Sequence, residues 1–363
     1  MLLPGNDSSG RAEPPESTRS EASGGGASGP EAVIVPVVFG LIFVVGVVGN
    51  CLVMVVIGKV RYRGGGGGGR TRRPGSPTNI FILNLSVADL IFLLVCVPLH
   101  ATIYSLDEWV FGAFLCKAGH YFLMVSMLVS VFTLVAMSVD RYIAVVRSKN
   151  APCVRSRRNA LVGVCVIWTL SLVCSVPVAQ HHVLTSHHTA PNSTFCWEVW
   201  SGAARRAYKV TIVLLGYLLP LLLISCCYAK VLFHLHKKMK NMTKKSESTK
   251  TKTAQTVLLV VAAFAICWMP HHIITMWVEF GTFPLTTASF AFRIISHCLS
   301  YGNSCVNPVL YAFLSENFRK ACRQVFTCRS LYSLPPGGEV VRFRMENSTT
   351  HSTTNIEEAA VIG

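Results

Sequence analysis

Ionisable and hydrogen-bonding residues recur at helical spacing inside segments that are otherwise apolar. Cys116, His120, Leu123, Met127, Ser130, Leu134 and Arg141 are separated by three, four or seven positions. At 100° per residue they fall in one narrow arc of a helix. Trp268, His272, Thr275 and Glu279 do the same, and so do His297, Tyr301, Ser304 and Pro308. None of these sets is catalytic: neither a His-Glu-x-x-His zinc pattern nor a Gly-x-Ser-x-Gly nucleophile turn occurs. The chemistry left to them is binding and switching through hydrogen bonds, ion pairs and cation ligation. Two levels are expected. The outer one holds His120, His272, Thr275, Glu279, Phe290 and Arg293; the inner one holds Asp89, Ser130, Asn303, Asn307 and Arg141. A lone membrane histidine is often only a packing residue, and Asp89 could be a hydrogen-bond hub. Ionisable groups are nevertheless costly in hydrocarbon, and three helices converge here, so function is the favoured reading.

The segments that carry these residues set the architecture. Of 363 residues, 51% are hydrophobic and 14% charged, where a soluble domain carries about 25% charged residues. The apolar residues gather into seven runs long enough to cross a bilayer, which takes about 20 residues each. They are Val33–Gly58, Asn79–Tyr104, Phe114–Val146, Ala160–Ala179, Tyr208–Phe233, Ala254–Phe280 and Thr286–Phe313. The first, fourth and fifth stand out by hydropathy alone; the others carry internal polar groups expected to face the bundle interior. Pro220, Pro270 and Pro308 interrupt spans five to seven, each removing a backbone hydrogen bond and permitting a kink. The expected fold is an all-α seven-transmembrane helix bundle over residues 33–313. A disordered outer tail (1–32) precedes it. A short amphipathic cytoplasmic helix (314–327) and a disordered tail (328–363) follow.

The net charge of +16 does not mark a nucleic-acid binder, because the basic residues lie between the apolar runs. Counting the N-terminus as outside, only Arg11, Arg19, Lys117, Arg205, Arg206, Lys209 and Arg293 of the 33 Lys and Arg fall on the outer side. Basic residues concentrate on the cytoplasmic side, so the chain is oriented N-out and C-in. The first 30 residues contain no apolar h-region, so no cleaved signal peptide is expected, and the first span is expected to serve as the insertion signal. The run Gly64–Gly69 reads as a flexible insert without function. Asn6 and Asn192 begin outer glycosylation sequons. Most of the 14 cysteines lie in the spans as small packing residues. Cys116 and Cys196 face the oxidising side, where one disulfide between them is the natural inference. Cys328 follows the amphipathic stretch and is a free thiol or a palmitate anchor. His181, His182, His187 and His188 sit in an outer loop and read as solvated.

With these residues in view, the chain resembles rhodopsin-like (class A) G-protein-coupled receptors over residues 32–326. The matching elements are Gly49-Asn50, the run Asn84-Leu85-Ser86-Val87-Ala88-Asp89, Asp140-Arg141-Tyr142, Trp168, Pro220 with Tyr228, Cys267-Trp268-Met269-Pro270 and Asn307-Pro308-Val309-Leu310-Tyr311. Within that family it is most similar to galanin receptors, those of type 1 in particular. The stretches Ser126–Val139, Phe195–Glu198, Gly216–Ile224, His234–Lys238, Pro270–Ile274 and Tyr311–Lys320 carry that likeness, as do Glu279–Gly281, Phe283–Thr286 and Ala288–Phe290.

The resemblance implies a plasma-membrane, multi-pass receptor for a galanin-like peptide. It further implies an inhibitory heterotrimeric G protein that lowers adenylate cyclase activity, with membrane lipid as the surroundings and no nucleic-acid partner. It needs no cofactor beyond an allosteric Na⁺ held by Asp89, Ser130, Asn303 and Asn307. Asp140, Arg141, Tyr142, Tyr228, Phe264, Trp268, Pro270, Asn307, Pro308 and Tyr311 would form the activation switch. Two positions depart from the family: type 1 receptors usually carry His at the place of Thr275 and an aromatic at that of Leu123. Lys250 stands where some relatives place an acid for Arg141, so Arg141 is expected to rely on Asp140. Glu279 and Arg293 are expected either to touch the peptide or to pair with each other. The weighed alternatives are a receptor for a kisspeptin- or spexin-like peptide and, from another class, a transporter, which commonly shows two related halves. A light-sensing pigment would need a lysine where Tyr301 stands, and an amine receptor an acid where Leu123 stands.

Overall fold

The computed structural model describes residues 31–63, 77–106, 108–147, 151–187, 190–200, 202–238, 244–284, 286–314, 318–319 and 322–323. The long helices are α1 (Glu31–Arg63), α2 (Pro77–Ser105), α3 (Gly112–Val145) and α5 (Arg157–His181), with the one-turn α4 (Ala151–Val154) before α5. A fifth crossing is built from α6 (Gly202–Val213), a π-helical turn (Leu214–Leu218) and α7 (Leu219–Lys238). The sixth and seventh are α8 (Lys244–Phe280) and α9 (Thr287–Leu314). Together they form the expected seven-helix bundle.

Six of these crossings are apolar and long enough to span a membrane on that ground alone. The second and third are as apolar as the fourth, so polar content did not weaken them as expected. The seventh is not among the six. Its inner face carries Ser296, Ser300, Asn303, Ser304 and Asn307, all buried, and those residues dilute its hydropathy while the bundle hides them from lipid.

Helix boundaries follow local chemistry. Pro77 opens α2, in the first turn, where a backbone N–H would have no intrahelical partner. Ser156 caps α5 by accepting a hydrogen bond from the Asn159 amide at 3.1 Å. Pro220, Pro270 and Pro308 lie inside their helices as expected, but prolines are not confined to the last three crossings. Pro36, Pro98 and Pro177 also lie inside α1, α2 and α5, and α3 is the long helix without one. The π turn has a direct cause in Pro220, which offers no N–H to the carbonyl of Gly216. The backbone widens there, and Leu219 N–H donates to the Leu214 carbonyl five residues back.

α3 is the central helix, with fourteen buried residues from Cys116 to Asp140. Its Met127, Leu128, Val131 and Leu134 pack with Tyr217, Ile224, Val260, Phe264 and Trp268 in the main core. α1 packs tightly on its neighbours: a Cβ on Gly49 would lie 2.8 Å from Pro308 Cβ, which ties a glycine in the first span to a proline in the seventh. On the far side, α1 and α5 expose Val37, Leu41, Val44, Val166 and Leu170, as lipid-facing surfaces do.

The outer loop between α5 and α6 contains an antiparallel hairpin, β1 (His182–His187) and β2 (Ala190–Glu198), that the sequence reading did not anticipate. Gly64–Gly69, Asn6 and Cys328 lie outside the described residues. Of the expected amphipathic helix, Phe318 is buried against the core, Cys322 packs on it, and Arg319 and Arg323 are exposed.

Candidate functional site

At the outer end the disulfide between Cys116 and Cys196 is present, with Cα atoms 5.6 Å apart. It fixes β2 to the top of α3, and Leu99, Trp109 and Leu184 pack around it. The Trp109 amide bonds to the Thr194 carbonyl at 2.7 Å, tying the neighbouring loop to the same hairpin.

Beneath the hairpin lies a chain of aromatic rings. His182 stacks on His120 with centroids 4.0 Å apart, His120 meets His100 at 5.0 Å, and His100 meets Tyr301 at 5.4 Å. Tyr301 in turn stacks on His297 at 6.0 Å. The Nδ1 atoms of His100, His120 and His182 each lie within hydrogen-bond distance of the carbonyl four residues earlier, at 2.8, 2.9 and 2.7 Å. As neutral rings they donate from Nδ1, and the Nε2 lone pair is the acceptor. His182 is therefore not the solvated loop residue expected: it is 7% exposed, and burial holds its pKa below the usual histidine range.

A second ring cluster gathers on α8. His272 lies 4.6 Å from Tyr217 and 6.3 Å from Trp268, and Trp268 lies 6.2 Å from Phe264. His272 is buried, and its Nε2 has no hydrogen-bond partner among the described residues. The expected outer set is thus split, with His120 in one cluster and His272 in the other. Thr275 spends its hydroxyl on the His271 carbonyl at 2.8 Å. Phe290 is half-buried in the first turn of α9.

The rim is held by ion pairs. Glu279 does not pair with Arg293. Its carboxylate accepts from Arg205 Nε at 2.6 Å, linking α8 to the start of α6. The top of the fifth crossing reaches Glu279 first, and Arg293 lies over the Phe283 ring at 5.3 Å. Lys209 pairs with Glu198 of β2 at 2.9 Å. Burial works to raise the Glu198 carboxyl, but Lys209 beside it outweighs that and holds it below the usual range. Arg205, Lys209, Glu198 and His100 were given no site role from the sequence, and His182 was read there as solvated. Their contacts are long-range, and the only local signal was a positive charge on the less basic side.

In the inner half, Asp89, Ser130, Asn303 and Asn307 are all buried. Asn307 Nδ2 donates to Asp89 Oδ2 at 3.0 Å, while Asp89 Oδ1 accepts no well-formed hydrogen bond among the described residues, although the Ser304 hydroxyl lies close to the same carboxyl. Asn50 donates to the Gly46 and Ser304 carbonyls at 2.9 Å each. Asn84 accepts from Trp168 Nε1 at 2.7 Å and donates to Thr133 at 2.8 Å. The motif residues of the first four spans thereby stitch helices together.

At the cytoplasmic end Arg141 keeps its expected ion pair with Asp140, but Arg155 holds the closer one. Arg155, just past α4, grips both Asp140 oxygens at 2.7 and 3.1 Å, whereas Arg141 stands 3.8 Å away. Thr78 donates to Asp140 at 2.8 Å and accepts from Arg141. Tyr142 carries Lys230 over its ring at 5.9 Å, and Tyr228 is buried on α7. The side chains of Tyr311, Asn192 and Lys250 lie outside the described residues.

This arrangement is that of a helical bundle with a disulfide-pinned, histidine-rich outer end, a polar middle and an ionic inner end. Comparison with known proteins agrees. The family described as 7 transmembrane receptor (rhodopsin family) matches residues 49–311. Human galanin receptor type 1 is 57% identical over 328 residues, covering 90% of this chain and 91% of the relative. The rat type 1 receptor is 55% identical over 90% of this chain and 92% of its own. Human galanin receptor type 2 is 44% identical over 93% of this chain and 84% of its own. The chain therefore belongs to the rhodopsin family of seven-transmembrane receptors and, within it, to the galanin receptors. It is a multi-pass plasma-membrane signalling receptor, not an enzyme, and membership implies a peptide ligand and coupling to a G protein. The transporter and the other peptide receptors are not favoured.

Proposed function

We propose that this receptor binds the neuropeptide galanin and acts through an inhibitory heterotrimeric G protein, lowering adenylate cyclase activity. The observation that carries the reading is the 57% identity to human galanin receptor type 1, spread over nine-tenths of both chains. The geometry supports it at the outer end. His272 keeps an unpartnered buried nitrogen beside Tyr217, and a buried polar atom without a partner favours a ligand that supplies one. Phe290 and Arg293 line the same end of α9. A peptide with Trp and Tyr near its N-terminus has the rings and hydroxyl such a surface accommodates.

The reading extends to the polar middle. Asp89, with one weakly bonded oxygen, and Ser130, Asn303 and Asn307 form a buried set of hard oxygen donors suited to Na⁺. Bound there, the ion would neutralise Asp89 and favour the inactive bundle. Asn6 and Asn192 would carry glycans, and Cys328 a palmitate. The test is competition binding with galanin on transfected cells, alongside cyclic AMP after forskolin. Galanin should displace tracer and lower cyclic AMP, with pertussis toxin removing the second effect. Displacement by another peptide but not by galanin would reject the ligand, and a cyclic AMP fall that survives the toxin would reject the inhibitory G protein.

A further inference from the structure

Beyond β2 the chain runs toward α6 through Val199 and Trp200, two residues that the site above does not use. Both are fastened to the end of α5. The Val199 amide donates to the His181 carbonyl at 2.8 Å, and His181 Nδ1 donates to the Val199 carbonyl at 3.3 Å. The His181 ring stacks on the Trp200 indole, with centroids 3.9 Å apart and planes 11° from parallel. Tyr208, on α6, meets the same indole at 5.2 Å. Its hydroxyl donates to the Cys174 carbonyl of α5 at 2.9 Å. Rings from the ends of the fourth and fifth crossings therefore hold Trp200 in place.

The backbone of Trp200 carries the connection to the sixth crossing. Its carbonyl accepts from Arg205 Nη1 at 3.2 Å, while Nε of the same guanidinium donates to Glu279 Oε1 at 2.6 Å. The forked guanidinium serves two acceptors at once. Gly202 opens α6 with φ at +80°, a left-handed conformation that strains any residue with a Cβ. The chain reverses there and returns Arg205 to the Trp200 carbonyl. On its own Arg205 would be a weak clamp, because its side chain is 30% exposed and fixing a long exposed side chain costs entropy. The second anchor at Trp200 offsets that cost. Glu279 continues the α8 face that carries His272 and Thr275, so fixing its carboxylate fixes the outer end of that face relative to the fifth crossing.

We propose that Trp200 is a positioning residue for peptide binding. Packed against His181 and Tyr208, it presents its carbonyl to Arg205, keeps that guanidinium on Glu279, and so sets the separation of the fifth and sixth crossings at the mouth of the bundle. This role rests on the outer end being the peptide site, and Trp200 acts there through Arg205 rather than by touching the peptide.

Two measurements on the full-length receptor test it. Hydrogen exchange without peptide reads the strap itself. Trp200→Ala should speed exchange across the segment from Val199 to Arg205, whereas Trp200→Phe, which keeps a ring for His181, should stay near wild type. His181→Ala should speed it too, and covers the case in which Trp200→Ala does not fold. Competition binding with labelled galanin reads the consequence. Trp200→Ala should lower affinity by about tenfold, the fold-change carried by one hydrogen bond to a charged group, and Trp200→Phe by less than about threefold. In an Arg205→Ala background Trp200→Ala should cost almost nothing further, since the group it positions is gone. Unchanged exchange in both Trp200→Ala and His181→Ala, wild-type affinity in Trp200→Ala, or a full tenfold loss in the Arg205→Ala background would overturn the role. Failure of galanin to bind wild type would reject galanin as the ligand, and exchange in the peptide-free receptor would still decide the strap.

Discussion

Arg155 holds Asp140 in a two-pronged ion pair at 2.7 and 3.1 Å, while the adjacent Arg141 stays 3.8 Å from the same carboxylate. The charge of Asp140 is thus met mainly from the loop rather than by its sequence neighbour. Thr78 bridges the two, donating to Asp140 and accepting from Arg141. Arg155→Ala would leave Arg141 as the nearest cation and draw it onto Asp140. The expected result is a fall of about tenfold in agonist-driven nucleotide exchange, equivalent to ~1.4 kcal/mol, with peptide affinity unchanged. Asp140→Asn, which removes the shared anion, should raise basal exchange. Wild-type exchange in Arg155→Ala would show that the pair is structural only.

Arg141 itself is expected to receive the G-protein tail once released. Arg141→Ala should abolish most nucleotide exchange while sparing peptide binding, checked by paired exchange and radioligand assays. A variant that exchanges nucleotide normally would remove Arg141 from the switch.

The seven spans were legible because hydropathy and length act along the chain, without reference to partners. The disulfide was legible for a related reason: topology left two cysteines on the oxidising side. Arg155 was not legible. In sequence it is one basic residue among many on the inner side, and only the packing of α4 against the end of α3 gives it a carboxylate. Arg205 was missed in the same way, and the pairing of Glu279 with Arg293 failed because proximity along two helices says nothing about a third. The hairpin escaped because Val183-Leu184-Thr185-Ser186 lacks period-two alternation; its register is set by the Cys196 crosslink and the Leu184 pairing. The polar motifs, by contrast, pointed to the correct helices, since a buried polar group in a membrane span must face protein.

Cys196→Ser should abolish peptide binding at the cell surface. The crosslink closes a separation of 80 residues, and losing it frees β2 together with Glu198, which Lys209 holds to the fifth crossing. Binding at wild-type affinity on intact cells expressing the variant would mean that the hairpin is held by packing alone.

The weakly bonded oxygen of Asp89 predicts sensitivity to sodium. In membranes, replacing NaCl by a large organic cation should raise agonist affinity in wild type by about tenfold, the effect of ~1.4 kcal/mol. Asp89→Asn should lose that dependence. Affinity that ignores NaCl in wild type would leave Asp89 as a hydrogen-bond hub for Asn307.

The outer end gives the sharpest tests, because its two acidic anchors and its aromatic surface make separable contributions. Breaking the Arg205 to Glu279 pair leaves a buried carboxylate, Glu279 being 5% exposed at its side chain. Arg205→Ala and Glu279→Ala should therefore each weaken galanin binding, and the double variant should be no worse than either single one. Full additivity would place Glu279 on the peptide instead. His272→Ala and Phe290→Ala act differently, by removing a hydrogen bond to the peptide, whose loss leaves the partner unsatisfied at a cost of about 1–3 kcal/mol, and an aromatic contact worth roughly 0.5–1.5 kcal/mol. His272→Ala should weaken binding by about one to two powers of ten, and Phe290→Ala by about tenfold or less. Thr275→His, which restores the residue usual in type 1 relatives, should strengthen it. Competition binding on this set decides the matter: wild-type affinity in both His272→Ala and Phe290→Ala would move the peptide off the sixth and seventh crossings, toward the histidine stack beneath the hairpin.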